Sequence, residues 1–246
     1  MKDFTIAIAE KKIAISALFG SSERFCRDYL SEGEAELAIT VTTSDLKRES
    51  ILLQKTAEQD DEQTELNPPS VELLAILRKL SEGLLEHQTL LMHGSAIALD
   101  GEGYLFTAPS GTGKSTHTRL WREHFGSRAV MVNDDKPFIK LTDESVLVCG
   151  TPWCGKHGLN TNICVPLKAI CILERGEENH IEKISAIEAL PVLLNQVYRP
   201  DAPKAMEHML DIVEQLSSRV SLYRLRCNMD PEAAVAAYQG MGGKEV

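Results

Sequence analysis

The segment Ala108–Ser115, which reads Ala-Pro-Ser-Gly-Thr-Gly-Lys-Ser, constrains the fold of this chain more than any other feature. Glycines at this spacing let a loop turn with its backbone N–H groups facing an anion. The lysine then reaches the β- and γ-phosphates, and the hydroxyl that follows reaches a magnesium ion. The usual pattern begins with glycine, where this chain has Ala108. The motif predicts a phosphate-binding loop.

The residues on either side of the motif favour a strand, a loop and a helix in that order. Gly103–Thr107 is typical of a short strand, and Ser115–Phe125 carries apolar residues at helical spacing. A helix that begins at the lysine and serine directs its unpaired N–H groups and the positive end of its dipole toward the phosphates. We therefore expect nucleotide contacts from Ser110, Gly111, Thr112, Gly113, Lys114, Ser115 and Thr116.

Composition and charge exclude several classes of partner. The chain has 246 residues, of which 43% are hydrophobic and 25% charged, which is ordinary for a soluble enzyme. It contains no apolar run of ~18 residues and no secretory signal, so we expect a cytoplasmic protein that does not bind a membrane. A net charge of −10 argues against nucleic acid as a partner.

The six cysteines form no Cys-x-x-Cys pair. In a chain of this size they are expected to be reduced, mostly buried thiols rather than a disulfide framework. Cys149, Cys154, His157 and Cys164 do not have the spacing of a usual zinc site.

The chain is predicted to be a mixed α/β protein with two parts. Residues 1–66 form a small α/β lobe, with strands at Phe4–Ile8, Lys12–Ala17 and Leu37–Thr43 and a helix at Ser22–Leu30. The acidic run Glu58–Glu65, followed by Asn67-Pro68-Pro69, is predicted to be an exposed linker. Residues 67–246 form the nucleotide-binding domain, which opens with a helix near Pro69-Ser70. Its further predicted strands are Leu90–His93, Ala96–Leu99, Gly103–Thr107, Ala129–Val132, Phe138–Leu141, Val146–Cys149, Ala169–Leu173 and Ser221–Arg226. Its further predicted helices are Ser115–Phe125, Ala186–Tyr198, Lys204–Leu216 and a last one capped by Asp230-Pro231.

Two adjacent carboxylates follow the buried strand Ala129–Val132. Asp134 and Asp135 would lie where a sheet presents its ligand crevice. One carboxylate can help Ser115 to hold magnesium, with Asp135 assigned to that role, and the other can accept the proton of an attacking hydroxyl. The sequence does not decide which aspartate is the base.

The segment Cys149–Asn162 is rich in glycine and polar residues and is interpreted as a loop that binds the phosphate acceptor rather than as core. Lys156 and His157 could contact a carboxylate or phosphate of the acceptor, with exposed solvated side chains as the alternative. Arg199 stands at a predicted helix end, where it could reach a phosphate or act as an ordinary C-terminal helix charge. These three residues are the candidate acceptor-binding residues.

Three elements in order resemble the HPr kinase/phosphorylase family, whose nucleotide core is shared with phosphoenolpyruvate carboxykinase. They are His93-Gly94, the phosphate loop, and the pair Asp134-Asp135, within roughly Leu91 to Leu173. The resemblance implies a mixed-sheet P-loop kinase core with a small N-terminal lobe. It also implies that His93 joins Lys114 and the two aspartates in the catalytic cluster.

The resemblance favours the smaller enzymes related to HPr kinase. The Glu-x-Arg-Gly stretch typical of true HPr kinases is missing, and Gly150–Asn162 stands in that region. We therefore expect a kinase that uses ATP and magnesium to phosphorylate a hydroxyl of a small molecule, with a serine-like metabolite preferred. The alternatives are a kinase for a serine of a peptide or carrier protein, and a nucleotide-sensing regulator without transfer. ADP or pyrophosphate as donor, a homo-oligomeric state and reversibility stay open.

Overall fold

The protein is described here by a computed structural model covering residues 1–60 and 67–243. It divides into two compact units, Met1–Leu84 and Leu85–Val246. The sequence analysis places a boundary between residues 66 and 67, before a long helix, whereas the structural division falls at the end of that helix. The described residues include no helix with the length and apolar character that crossing a membrane requires.

The first unit contains a three-stranded sheet and helices within its described residues. β1 (Lys2–Ile8) pairs antiparallel with β2 (Lys11–Ala17), and β2 pairs parallel with β3 (Leu37–Thr40). The sequence predicts all three strands, because alternate apolar residues such as Ile13 and Ile15 face the core. The helix predicted over Ser22–Leu30 is instead split. α1 spans Gly20–Phe25, and a 3₁₀ turn covers Arg27–Tyr29.

Two longer helices complete the first unit and change the interpretation of the linker. α2 spans Thr43–Asp60, where no element was predicted, and it includes the first residues of the acidic run. Residues 61–66 lie outside the described part of the chain. α3 spans Pro68–Leu85, so both prolines belong to its first turn, where a missing N–H costs no helical bond. Both ends of the predicted linker therefore belong to helices, residues 58–60 to α2 and residues 68 and 69 to α3.

A buried charge cluster ties α2 to α3. Arg78 donates to Asp45 at 2.8 Å and to Glu49 at 2.5 Å, and Lys79 lies 3.1 Å from Asp45. The hydroxyl and backbone N–H of Thr42 also donate to Asp45. Burial disfavours ionisation of Asp45, but the two hydrogen bonds from Thr42 and the hydrogen bond and charge of Lys79 overcome this effect and lower the pKa of Asp45 to about 2.

The described part of the second unit is built on a nine-stranded mixed sheet. Its strands are β4 (Thr89–Leu91), β5 (Ser95–Leu99), β6 (Glu102–Thr107), β7 (Ala129–Asn133), β8 (Phe138–Leu141), β9 (Val146–Cys149), β10 (Cys164–Arg175), β11 (His180–Lys183) and β12 (Ser221–Cys227). Its helices are α4 (Lys114–Phe125), α5 (Ala186–Gln196), α6 (Pro203–Arg219) and α7 (Glu232–Gly240). The sequence predicts every one of these elements except β11.

The strand directions bring the candidate site together. β10 pairs parallel with β6 on one side and with β12 on the other. β5 pairs antiparallel with both β6 and β7. Strands β6, β7, β10 and β12 therefore all point the same way, and their carboxyl ends meet along one edge with the start of β5. Ligands of open α/β sheets bind outside the carboxyl ends of the strands.

Apolar residues cover both faces of this sheet. Successive residues of β6 alternate, so that Tyr104 and Phe106 pack with Trp121 of α4, while Leu105 joins the core cluster on the other face. That second cluster includes residues of α5 and α6, whereas α7 packs with α4. Helices α4 and α7 thus cover one face of the sheet that carries the phosphate-loop motif, and α5 and α6 cover the other.

The expectation of reduced cysteines is wrong at one pair. Cys149 at the end of β9 lies directly opposite Cys164 at the start of β10, and the two form a disulfide. Strand pairing creates this proximity, which their separation of 15 residues in the sequence does not reveal. The thiols of Cys26 and Cys171 are buried as expected, and burial raises the pKa of Cys26 to about 12.

Candidate functional site

The phosphate-loop motif has the strand, loop and helix that the sequence predicts. β6 ends at Thr107, the backbone turns through residues 108–113, and α4 begins at Lys114. Gly111 has a φ of 76° and Gly113 a φ of 121°, a region that glycine enters without the steric cost of a Cβ. A Cβ at either position would have no described atom within 4 Å. Backbone conformation rather than crowding therefore calls for glycine here.

Lys114 folds back over its own loop. Its Nζ donates to the carbonyl oxygen of Ala108 at 2.8 Å and, with a longer contact of 3.4 Å, to that of Pro109. The side chain is buried, and burial lowers the pKa of Lys114 while the charge of Asp135 opposes that change. The ammonium group is thus kept at the loop by neutral carbonyls and by an acidic neighbour.

The other predicted nucleotide contacts lie on this loop and on the first turn of α4. Ser110 and Ser115 are exposed, Thr116 is partly exposed, and the Thr112 hydroxyl donates to the carbonyl of Pro109 at 2.9 Å. The first N–H groups of a helix have no partner within the helix and carry its positive dipole end. The start of α4 can therefore receive an anion.

His93 and Gly94 stand immediately before β5, beside the strand that leads into the loop. The Thr107 hydroxyl donates to the His93 carbonyl at 2.9 Å. A Cβ on Gly94 would lie 2.8 Å from Cδ1 of Leu105 and 3.0 Å from the carbonyl oxygen of Phe106. The close approach of β6 thus accounts for glycine after this histidine, and it fixes the position of His93.

Hydrogen bonds to Gln196 orient the His93 ring. Nδ1–H donates to Oε1 of Gln196 at 2.9 Å, and the His93 backbone N–H donates to the Gln196 carbonyl at 2.6 Å. Nε2 then faces Oδ1 of Asp135 at 3.4 Å. Burial lowers the pKa of His93, the charge of Lys114 lowers it further, and Asp135 and Gln196 act against them. Gln196 is the last residue of α5 and belongs to no sequence motif, so the sequence gives no signal that it contacts His93.

Asp135 lies among cationic and polar groups. Its Oδ2 accepts from Lys136 Nζ at 2.6 Å, and its backbone carbonyl accepts from the Gly94 N–H at 2.9 Å. Asp135 also lies beside His93, and its charge acts on Lys114. These contacts bring His93-Gly94, the phosphate loop and the aspartate pair to one place. The carboxylate is partly exposed, so a ligand can reach it.

Asp134 has a different environment. Its side chain is buried, Oδ1 accepts from the Gly155 N–H at 2.6 Å, and Oδ2 has no hydrogen-bond partner among the described residues. Burial raises the pKa of Asp134, and the charge of Asp135 adds to that effect against the Gly155 N–H and the charge of His157. A carboxylate of this kind is suited to taking up a proton or binding a cation.

Asn133, which the sequence analysis did not single out, shapes the turn that carries the two aspartates. Its Oδ1 accepts from the backbone N–H groups of Asp135 at 2.8 Å and Lys136 at 2.6 Å. Its Nδ2 donates to the carbonyls of Thr151 at 2.9 Å and Trp153 at 3.2 Å. Asparagine directly before an aspartate pair is a typical turn signal, and it was available in the sequence.

The predicted acceptor loop is only partly a surface loop. Gly150, Thr151 and Trp153 are buried, so the expectation that this segment lies outside the core is wrong for its first half. A Cβ on Gly150 would overlap the carbonyl oxygen of Thr161, which explains a glycine in the interior. The polar composition of this segment suggested a surface loop. Thr151 can nevertheless be buried, because its hydroxyl donates to the Lys136 carbonyl oxygen at 2.8 Å.

The second half of this loop carries the candidate acceptor contacts. Lys156 and His157 are exposed, and the charge of His157 acts on Asp134. Arg199 is exposed and lies elsewhere, three residues after the end of α5. It donates to the Leu194 carbonyl at 3.0 Å and to Oδ1 of Asn195 at 2.5 Å. In this conformation Arg199 caps a helix, which is the alternative that the sequence left open.

Protein ligands alone do not form a closed metal site. In residues 1–60 and 67–243, no group of three or more His, Cys, Asp or Glu side chains is placed to hold a metal ion. Cys149 and Cys164 form a disulfide with each other, so neither offers a thiolate to a metal. Ser115 and Asp135 offer oxygen ligands of the kind that magnesium prefers, and the unpartnered Oδ2 of Asp134 would be satisfied by a proton or a cation.

Comparison with known proteins gives a family for this chain. No curated protein matches it. Among solved structures, the Hpr(Ser) kinase/phosphatase from Coxiella burnetii is similar over 61% of this chain and 95% of its own, with 12% identity and a TM-score of 0.35.

The family model described as SynChlorMet cassette protein ScmC matches residues 55–234. This range is most of the chain and contains the phosphate-loop motif, His93 and both aspartates. The chain therefore belongs to the SynChlorMet cassette protein ScmC family.

Proposed function

We propose that this protein is a phosphotransferase that moves the γ-phosphate of a nucleoside triphosphate, with ATP preferred, to a hydroxyl group. The observation that carries the proposal is the meeting of three elements at one sheet edge. The glycine loop with Lys114, the oriented His93, and Asp134-Asp135 all lie where β5, β6 and β7 present their ends. Phosphate transfer depends on positioning and charge stabilisation, which this set of groups can supply.

The loop and the start of α4 hold the donor. Backbone N–H groups of Ser110–Gly113 and of the first turn of α4 surround the phosphates, and Lys114 leaves its loop carbonyls for the β- and γ-phosphate oxygens. Charge-assisted bonds to phosphate are stronger than the bonds to neutral carbonyls that they replace. A lysine already at the loop needs only a local rearrangement to do so.

Asp134 is the proton acceptor in this proposal. Its raised pKa and its unpartnered Oδ2 suit a base that must take a proton from a hydroxyl. The acceptor oxygen forms a bond to the γ-phosphorus while the bond from that phosphorus to the β,γ-bridging oxygen breaks. The proton passes to Asp134, and the nucleoside diphosphate leaves.

Asp135 and Ser115 would hold magnesium, which when bound neutralises charge on the transferred group. The partly exposed carboxylate of Asp135 and the exposed hydroxyl of Ser115 are oxygen ligands of the type magnesium prefers. His93 positions Asp135, because its Nε2 lies 3.4 Å from Oδ1 of that carboxylate. This assignment gives the two adjacent aspartates separate tasks.

A small molecule resembling serine is the preferred acceptor. Lys156 and His157 are exposed on the loop that supplies the Gly155 N–H to Asp134, so a cation there can bind an acceptor carboxylate close to the base. Arg199 would join them only after leaving the end of α5. Acceptor selection therefore depends on residues 154–158.

Transfer of label from [γ-³²P]ATP in the presence of magnesium tests the proposal. The full-length protein is incubated with free hydroxyl amino acids, other hydroxyl metabolites and serine-containing peptides in separate reactions. A labelled serine-like metabolite is the expected product. A labelled peptide alone would replace the acceptor class, and nucleotide binding without any labelled product would favour a nucleotide-sensing regulator instead.

A further inference from the structure

A cavity of about 490 Å³ opens on the side of the phosphate loop away from His93. The strand order along the sheet is β12, β10, β6, β5, β7, so the loop after β6 has β5 and β7 on one side and β10 and β12 on the other. The cavity is lined from the second side, by the loop, α4, the end of β10 and the residues after β12. It contains none of the catalytic candidates on the β5 and β7 side.

Apolar side chains form much of the cavity wall. Leu120 of α4 and Leu173 of β10 are almost fully buried and contribute to it, and Met229 lies at its rim with 76% of its surface exposed. Methionine adapts its shape readily and packs well on flat rings. A cavity of this size, with apolar walls and a few polar groups, is typical of a small-molecule site.

His117 gives the wall a fixed polar group. Its Nε2 accepts from the Trp121 indole N–H at 3.1 Å, so the ring proton must be on Nδ1, and Nδ1 has no partner among the described residues. The ring is buried, and burial lowers its pKa to about 4, so it is neutral near pH 7. His117 is thus a neutral, buried part of the wall, which suits an uncharged ring better than a further phosphate.

Arg175 connects this cavity to the phosphate loop. It ends β10, and its Nη2 donates to the carbonyl oxygen of Gly111 at 2.7 Å. Gly111 and Gly113 line the same cavity. A ligand whose phosphates occupy the loop would therefore extend directly into the cavity at one end and toward His93 and Asp135 at the other.

From this geometry we infer that the cavity between α4, the end of β10 and Met229 binds the heterocyclic base of a nucleoside polyphosphate, with the γ-phosphate directed to the His93 side. The inference rests on the proposed function and adds to it the place where the base of the donor binds. It also fixes the orientation of the donor across the loop.

Binding measurements on the full-length protein distinguish the contribution of the base to affinity from that of the phosphates, because tripolyphosphate lacks a base. Cys227, a partly exposed thiol in the cavity wall, is replaced in Cys227→Phe to fill the space and in Cys227→Ser as the control that leaves it open. Cys227→Phe is expected to weaken magnesium-ATP binding at least about tenfold and to leave tripolyphosphate binding unchanged. Equal ATP affinity in the two variants, or an equal loss for both ligands, would overturn the inference.

Unmodified protein gives an independent readout should Cys227→Phe fail to fold. Iodoacetamide alkylation is followed at each cysteine by peptide mass spectrometry, and ATP is expected to slow the reaction of Cys227 while tripolyphosphate does not. No protection by ATP, or equal protection by both ligands, contradicts a base site here. Failure of both ligands to bind would instead contradict the phosphate loop and hence the proposed function.

Discussion

Gln196 holds His93 by two hydrogen bonds, one from the His93 backbone N–H at 2.6 Å and one from Nδ1 at 2.9 Å. The second bond places the ring proton on Nδ1 and leaves Nε2 toward Asp135. An amide at the end of α5 thus determines which ring nitrogen faces the catalytic candidates. The side chain is partly buried, and its contribution raises the pKa of His93.

Changing Gln196 should move the titration of His93. Gln196→Leu removes a bond that favours the charged ring, so the pKa of His93 should fall further below its ordinary value. Gln196→Glu adds a negative charge and should raise it. Histidine NMR titration of the full-length protein measures both, with exposed Gln215→Leu as the control. An unchanged His93 titration in both variants would show that the two side chains do not interact.

Asp134 and Asp135 should respond differently to asparagine substitution. Asp134→Asn removes the proposed base and should lower kcat about 10²- to 10⁴-fold at any magnesium concentration. Asp135→Asn removes the proposed metal ligand, and raised magnesium should restore part of its activity. Phosphotransfer rates measured over a magnesium series test this. Magnesium rescue of Asp134→Asn but not of Asp135→Asn would reverse the two assignments.

Gly155→Ala should disturb Asp134 without touching the phosphate loop. The new Cβ would lie 3.2 to 3.3 Å from the three carboxylate atoms of Asp134, tighter than ordinary contact. Misplacing a catalytic group costs rate, and we expect kcat to fall between about 10- and 100-fold with nucleotide affinity retained. Gly20→Ala is the control, because a Cβ there has no described atom within 4 Å. Equal kcat in both variants would argue against a role for Asp134.

Asp45 should make the first unit sensitive to acid. Because its pKa is lowered to about 2, its stabilising effect is fully present above the unfolded value of ~3.9 and is lost as the pH falls toward 2. This amounts to on the order of 2 kcal/mol. Urea unfolding between pH 6 and pH 2 should show a smaller pH dependence in Asp45→Asn than in wild type. The exposed Asp143→Asn variant should behave as wild type, and a wild-type slope in Asp45→Asn would refute the linkage.

Local sequence pattern predicted most of the elements in the second unit and the loop between β6 and α4. Alternation in β6 and the glycines before Lys114 are local signals that the tertiary structure did not override. Helix α2 was missed because it has little apolar periodicity and ends in an acidic run.

The parts of the site that were missed depend on contacts between distant segments. Gln196 reaches His93 across 103 residues. The turn at Asn133 could have been recognised from the sequence, but its side-chain bonds to Thr151 could not. The Cys149–Cys164 bridge likewise follows from the pairing of β9 with β10. Residue type and spacing carry no record of such pairings in a single sequence.

The central claim, that the glycine loop and Lys114 bind the phosphates of a donor for transfer, is tested most directly by Lys114→Ala. Turnover of [γ-³²P]ATP by full-length Lys114→Ala is compared with that of Lys204→Ala, which removes an exposed lysine at the start of α6. We predict a loss of at least about 100-fold for Lys114→Ala with an unchanged circular dichroism spectrum, and wild-type turnover for Lys204→Ala. Wild-type turnover by folded Lys114→Ala would contradict the account.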